Sequence, residues 1–114
     1  MKPPQLGLSL MACVLLACAG PLSEAESKFK AGLYPEASEM LASMERSAAG
    51  WDVQSRAEYS LYRGLCFGAL GDLPRARFWL REVLSIEAAW PRALSDADLR
   101  RLRVAAEAAD ALPE

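Results

Sequence analysis

From about residue 23 onward apolar residues return every three or four positions, and the interruptions fall at glycine and proline, which predicts helices joined by short turns. Ser23-Glu24-Ala25-Glu26 has the form of a capping box and predicts a first helix running to about Ala31. Gly32 can adopt the left-handed conformation that ends a helix, and Pro35 suits the first turn of the next. In that second helix Ala37, Met40, Leu41, Met44 and Ala48 form one apolar face, opposite Ser38, Glu39, Ser43, Glu45 and Arg46. Gly50 ends it, with Trp51 placed to pack under the loop, and Asp52 can cap a third helix from Val53 to Leu70. Ala57, Leu61, Leu65 and Ala69 follow four-residue steps there, and Tyr59, Tyr62 and Cys66 widen the apolar surface. A helix apolar over so much of its circumference must be covered on several sides, so it is expected at the centre of the domain.

The next segment repeats an earlier one. Gly71-Asp72-Leu73-Pro74-Arg75-Ala76 matches Gly32-Leu33-Tyr34-Pro35-Glu36-Ala37, with glycine, proline and alanine each returning thirty-nine residues on. Repeated turn chemistry implies a repeated helical hairpin. The fourth helix, Pro74 to about Ala88, places Ala76, Trp79, Leu80, Val83 and Leu84 on one face. Trp90-Pro91 stops it. Ser95-Asp96-Ala97-Asp98 then opens a last helix with a thin apolar stripe of Leu99, Leu102, Ala106 and Ala109. The expected layout is hairpin 1 at about 23–49, hairpin 2 at about 52–88 and a capping helix at about 95–112, all within one domain.

Composition supports an all-α fold of stacked antiparallel hairpins, since Ala, Leu, Arg and Glu are abundant and Val, Ile and Thr are few. The formal net charge of -2 supplies no basic field to attract nucleic acid. There is no histidine, which removes the commonest general base and metal ligand, so neither an enzyme nor a cofactor or metal site is expected.

The first residues have a different character. Met1-Lys2 precedes an apolar run from Leu6 to Ala17, of signal-peptide length and shorter than the ~20 residues a spanning helix needs. The run ends in Leu15-Leu16-Ala17-Cys18, which resembles the lipobox of bacterial lipoproteins. That resemblance implies a signal at 1–17, a covalent lipid on Cys18 as the mature N-terminus, and a short linker at 18–22. Leu10-Met11-Ala12-Cys13 fits the pattern loosely but leaves too short an apolar segment, and an ordinary secretory cut after Ala17 or Ala19 is the other alternative. Loss of Cys13 and acylation of Cys18 would leave Cys66 without a disulfide partner. Ala19 after the cysteine implies, by the sorting rule of well-studied Gram-negative lipoproteins, an outer-membrane location facing the periplasm.

Ala57-Glu58, Gly64, Phe67, Gly71-Asp72, Ala76, Leu80, Val83 and Leu84 stand at the spacings of a tetratricopeptide repeat, in register from Ala57 to Ala88, and this stretch resembles that family. A partial first unit matches through Ala25, Gly32, Tyr34, Ala37, Leu41 and Met44, although its period exceeds the family's usual length. The resemblance implies packing roles: Gly64 and Ala76 are small where two helices cross, and Phe67 with Leu80 fills the space beside them. It also implies a groove for a partner segment lined by Phe29, Leu61, Leu65 and Ala69. Leu61 and Leu65 read equally well as core.

Phe78 falls on the polar side of its helix and is a candidate exposed anchor. The arginines at 75, 77, 81, 92, 100, 101 and 103 could meet an acidic partner, peptidoglycan carboxylates or lipid headgroups, or form a solvated face. Glu24 with Glu26, and Asp96 with Asp98, open helices, where the helix dipole favours negative charge. Cys66 reads as core. Two units and a cap are fewer than such arrays usually use, so a partner or self-association would complete the structure. These readings lead to the expectation of a lipid-anchored adaptor that docks an envelope protein during assembly of a secretion, pilus or motility complex. A peptidoglycan tether and an accessory subunit of an envelope enzyme are the alternatives.

Overall fold

The computed structural model describes residues 20–112, so Cys13, Cys18 and the predicted signal segment lie outside the described residues. The described residues are all helical in their regular structure. Helix α1 covers residues 20–30, α2 Tyr34–Ser43, α3 Glu45–Ala48, α4 Val53–Ala69, α5 Leu73–Ala89 and α6 Asp96–Ala108. The fold is a stack of antiparallel helical hairpins with α4 at its centre, where it touches α2, α3, α5 and α6. Among the described residues no helix is long and apolar enough to cross a membrane.

Two helices depart from the sequence expectation. The chain is already helical at residues 20–22, which the expected linker included, so Ser23 sits inside α1 and does not cap it. Pro21 suits a first helical turn, and Leu22 packs against the core, which rewards extending the helix toward its N-terminus. The second helix is broken at Met44, where α2 yields to the one-turn α3. The Leu41 carbonyl accepts the Met44 N–H three residues on (3.0 Å) and also the Tyr59 hydroxyl (2.7 Å). Ser43 Oγ bonds back to the Met40 carbonyl at 2.6 Å. These contacts tighten the last turn and spoil the regular ladder.

The caps follow the residue types. Asp52 accepts the Ser55 N–H at 2.8 Å, Asp72 the Arg75 N–H at 3.3 Å, and Ser95 the Asp98 N–H at 3.2 Å. Gly32 and Gly71, both with φ +83°, end α1 and α4 through the same pair of hydrogen bonds. In the first turn Gly32 N–H reaches the Phe29 carbonyl and Leu33 N–H the Lys28 carbonyl; in the second, Gly71 reaches Gly68 and Asp72 reaches Phe67. A third instance follows after another thirty-nine residues, which the sequence reading missed. Asp110, with φ 55°, reaches Glu107, and Ala111 reaches Ala106. Thus α6 ends as α1 and α4 do, and a proline stands three residues beyond each left-handed residue, at 35, 74 and 113.

The hairpin of α4 and α5 is the tightest contact. A Cβ placed on Gly64 would lie 2.7 Å from Leu80 Cδ2 and 3.3 Å from the Leu80 backbone nitrogen, so the helices approach where only glycine fits. Ala76 is fully buried, and Leu80 is 1% exposed. Ala37 occupies the corresponding place on α2 and is likewise fully buried. Phe67 is only half-buried and packs along the edge of the core.

Candidate functional site

Because α4 is central, its two open faces decide what the molecule can bind. The face toward α1 and α6 begins with Phe29, whose ring meets Tyr34 at 5.2 Å and Tyr62 edge-on at 5.6 Å. Phe29 and Leu65 lie along one open trough of about 530 Å³, completed by Ala97, Arg100, Arg101, Val104, Ala105 and Ala108 of α6. Val104 is 70% exposed there, a branched apolar side chain left in water on the terminal helix. Ala69 is exposed and lines an adjoining hollow of about 210 Å³ between α4 and α6, with Leu65 and Leu73. Leu61 does not join them. It is fully buried in the core and offers no surface to a partner, because its position on α4 points between the packed helices.

Beside this trough three carboxylates converge from three helices: Glu26 of α1, Glu58 of α4 and Asp98 of α6. Asp98 is buried, where it accepts the Tyr62 hydroxyl at 3.1 Å and Arg101 Nη1 at 3.0 Å. Glu26 and Glu58 lie close enough for the charge on one to disfavour the charge on the other. Burial, then the neighbouring Glu58 and Asp98 charges, push Glu26 up to about 7, against a weaker opposing pull from Lys30. Burial also raises Glu58, and it raises the Tyr62 hydroxyl together with the adjacent Asp98 charge. Glu26 lies in the second turn of α1 and does not open that helix, and Asp98 is more than a helix-opening charge. Asp98 does lie in the first turn of α6, but its carboxylate is turned inward onto Tyr62. Among the described residues no group of three His, Cys, Asp or Glu side chains is placed to hold a metal ion.

The other face of α4 lies between α2–α3 and α5, which do not touch each other. Its floor carries Arg63, a charged residue that the helical pattern alone would place in solvent. The Arg63 side chain is 9% exposed, pairs with Glu45 at 2.8 Å, and lies over Trp79 (4.9 Å), Phe67 (5.1 Å) and Tyr59 (6.0 Å). Trp51, Tyr59, Trp79 and Phe78 follow one another edge-on at 5.3–5.8 Å. Trp51 thus packs against Tyr59 in the second turn of α4. Phe78 is 62% exposed at the end of this aromatic row, so its outward placement on α5 is real.

Several arginines of the second half are engaged within the chain, while Arg81, Arg100 and Arg103 are exposed. Arg75 pairs with Asp72 at 3.3 Å, Arg77 reaches the Ala109 carbonyl at 3.4 Å, and Arg101 holds Asp98. Arg92 has φ 72°, and the Glu87 carboxylate secures that turn by accepting the N–H groups of Arg92 and Leu94. Cys66 is a fully buried free thiol whose pKa burial pushes up to about 11, so it is a core residue and not a nucleophile. In comparison with known proteins, no family model, no curated protein and no solved structure matches this chain.

Proposed function

We propose that this protein is a lipid-anchored adaptor of a bacterial cell envelope, held by a lipid on Cys18 and docking a protein partner through the trough between α1, α4 and α6. The observation that carries the docking part is the exposed Val104 beside Phe29 and Leu65, an apolar surface built from three helices with arginines at its rim. The anchoring part rests on the apolar run before Leu15-Leu16-Ala17-Cys18. Ala19 favours the outer membrane, and the repeated turns favour a tetratricopeptide-like array, whose members commonly act as scaffolds. Helicity at residue 20 leaves almost no tether after Cys18, so the trough would work close to the membrane surface.

The test compares the membrane-fraction protein with its Cys18→Ala variant by intact-mass spectrometry, together with what co-purifies. The adaptor reading expects an acylated Cys18 and a stable envelope partner that is lost in Val104→Glu. A soluble chain beginning at Ala19 or beyond would overturn the anchor, and a partner indifferent to Val104→Glu would overturn the trough. A tether to peptidoglycan would instead appear as salt-sensitive binding to isolated sacculi.

A further inference from the structure

We infer that the groove between α2–α3 and α5 is a second docking site, and that it takes an amphipathic helix of a protein partner with a carboxylate in its apolar face and basic residues at its flanks. The inference is independent of the lipid anchor and of the trough on the opposite side of α4.

The groove is an open gap with α4 as its floor, since α2 and α3 make no contact with α5. Two adjoining hollows, of about 340 and 830 Å³, meet at Glu45, Phe78 and Trp79 and form one channel. The floor runs from Arg56 to Leu70 of α4 and its C-terminal cap, about 21 Å at 1.5 Å per residue, which matches roughly four turns of a docked helix. Its apolar lining includes Trp79, Phe67 and the exposed Phe78 and Leu70. An apolar helix face would cover these at the spacing that one helix presents to another.

The charge arrangement specifies the occupant further. Arg56 and Arg63 lie on the floor, with Glu39 and Glu45 on one wall and Glu82 on the other, where Arg75 is already paired with Asp72. The Nε–H donors of both Arg56 and Arg63 are buried and have no acceptor. Glu45 is the one acceptor that Arg63 finds among the described residues, although a guanidinium carries five N–H donors. A buried guanidinium clamped between aromatic faces, whose one partner Glu45 is itself 59% exposed, is preorganised for a second carboxylate, and a docking helix that delivered one from above would offset the charge that Glu45 answers only in part. Basic residues at the edges of that helix would face Glu39, Glu45 and Glu82.

The test uses the full chain, purified in detergent and immobilised, to select from a displayed library of sixteen-residue amphipathic helices with randomised faces. The inference expects enriched helices that carry Asp or Glu within the apolar stripe. Their binding should fall at least tenfold with Phe78→Glu, whose exposed position does not threaten folding, and at least tenfold with Arg63→Met, which keeps the stem that packs on the aromatic rings. Val104→Glu should leave that binding unchanged. Absence of enrichment, enrichment without an acidic residue, or binding insensitive to Phe78→Glu would each overturn the inference.

Discussion

The two open faces of α4 answer charge in opposite ways. Toward α2 and α5 a single buried cation, Arg63, is surrounded by aromatic rings and shares one carboxylate that is itself largely in water. Toward α1 and α6 three carboxylates crowd together, with Arg101 as the cation bonded to Asp98 and burial raising the pKa of Glu26 to about 7. A guanidinium is stabilised by π-faces and packs its stem, so it can be buried without a full set of partners. A carboxylate has no such recourse, so its burial is answered by protonation or by a hydroxyl, here Tyr62. One face therefore holds a cation packed among aromatic rings, and the other is a carboxylate seam between helices in which Glu26 is raised to about 7.

The largest expected effect lies outside both faces and measures the frame they share. Gly64→Val should force α4 from α5 against Leu80 and cost about 3 kcal/mol, read by urea denaturation. Arg63→Ala should cost about 2 kcal/mol, chiefly through lost packing on Trp79 and Phe67, while Arg63→Met should recover at least half of that. Equal losses in the two variants would mean that charge, not packing, holds the first face. On the second face, Tyr62→Phe removes the hydroxyl that Asp98 accepts and should cost about 1.5 kcal/mol at neutral pH.

The smallest effect carries a sign. Glu26 has a folded pKa of about 7 against an ordinary 4.5, so the folded chain holds its proton more tightly than the unfolded chain. Its contribution is fully present below about 4.5 and is lost as pH rises through 7. Glu26→Gln should therefore flatten that decline and raise stability at pH 8 by about 1 kcal/mol, a figure reduced from the full shift because Glu26 keeps solvent contact. Thermal melts between pH 4 and 8 would show it, and an unchanged slope in the variant would remove Glu26 from the account.

What was legible in the sequence is what local chemistry encodes. The caps at Asp52 and Ser95, the left-handed glycines and the small residues at the α4–α5 crossing all announce themselves within a few positions. The third turn was obscured because Asp110 replaces glycine, although Pro113 repeats the spacing of Pro35 and Pro74. The break at Met44 depends on Tyr59 arriving from another helix, and no pattern within α2 reports that. Glu26, Glu58 and Asp98 are each ordinary polar positions until three helices bring them together. Arg63 was hidden for a similar reason, since a charge in an amphipathic helix reads as solvent-facing; its one signal was the pair of aromatics four residues to either side, Tyr59 and Phe67. Leu61 and Leu65 follow the same four-residue step, yet only their neighbours decide that one is core and the other lines the trough.

The adaptor reading is tested most directly by photocrosslinking in cells, with benzoylphenylalanine introduced at Val104 in the trough and at Arg46 on a solvent-facing turn as the control. A discrete crosslinked partner is expected at Val104, in the membrane fraction, and is expected to be absent at Arg46. No crosslink at Val104, or the same products at both positions, would contradict the adaptor reading.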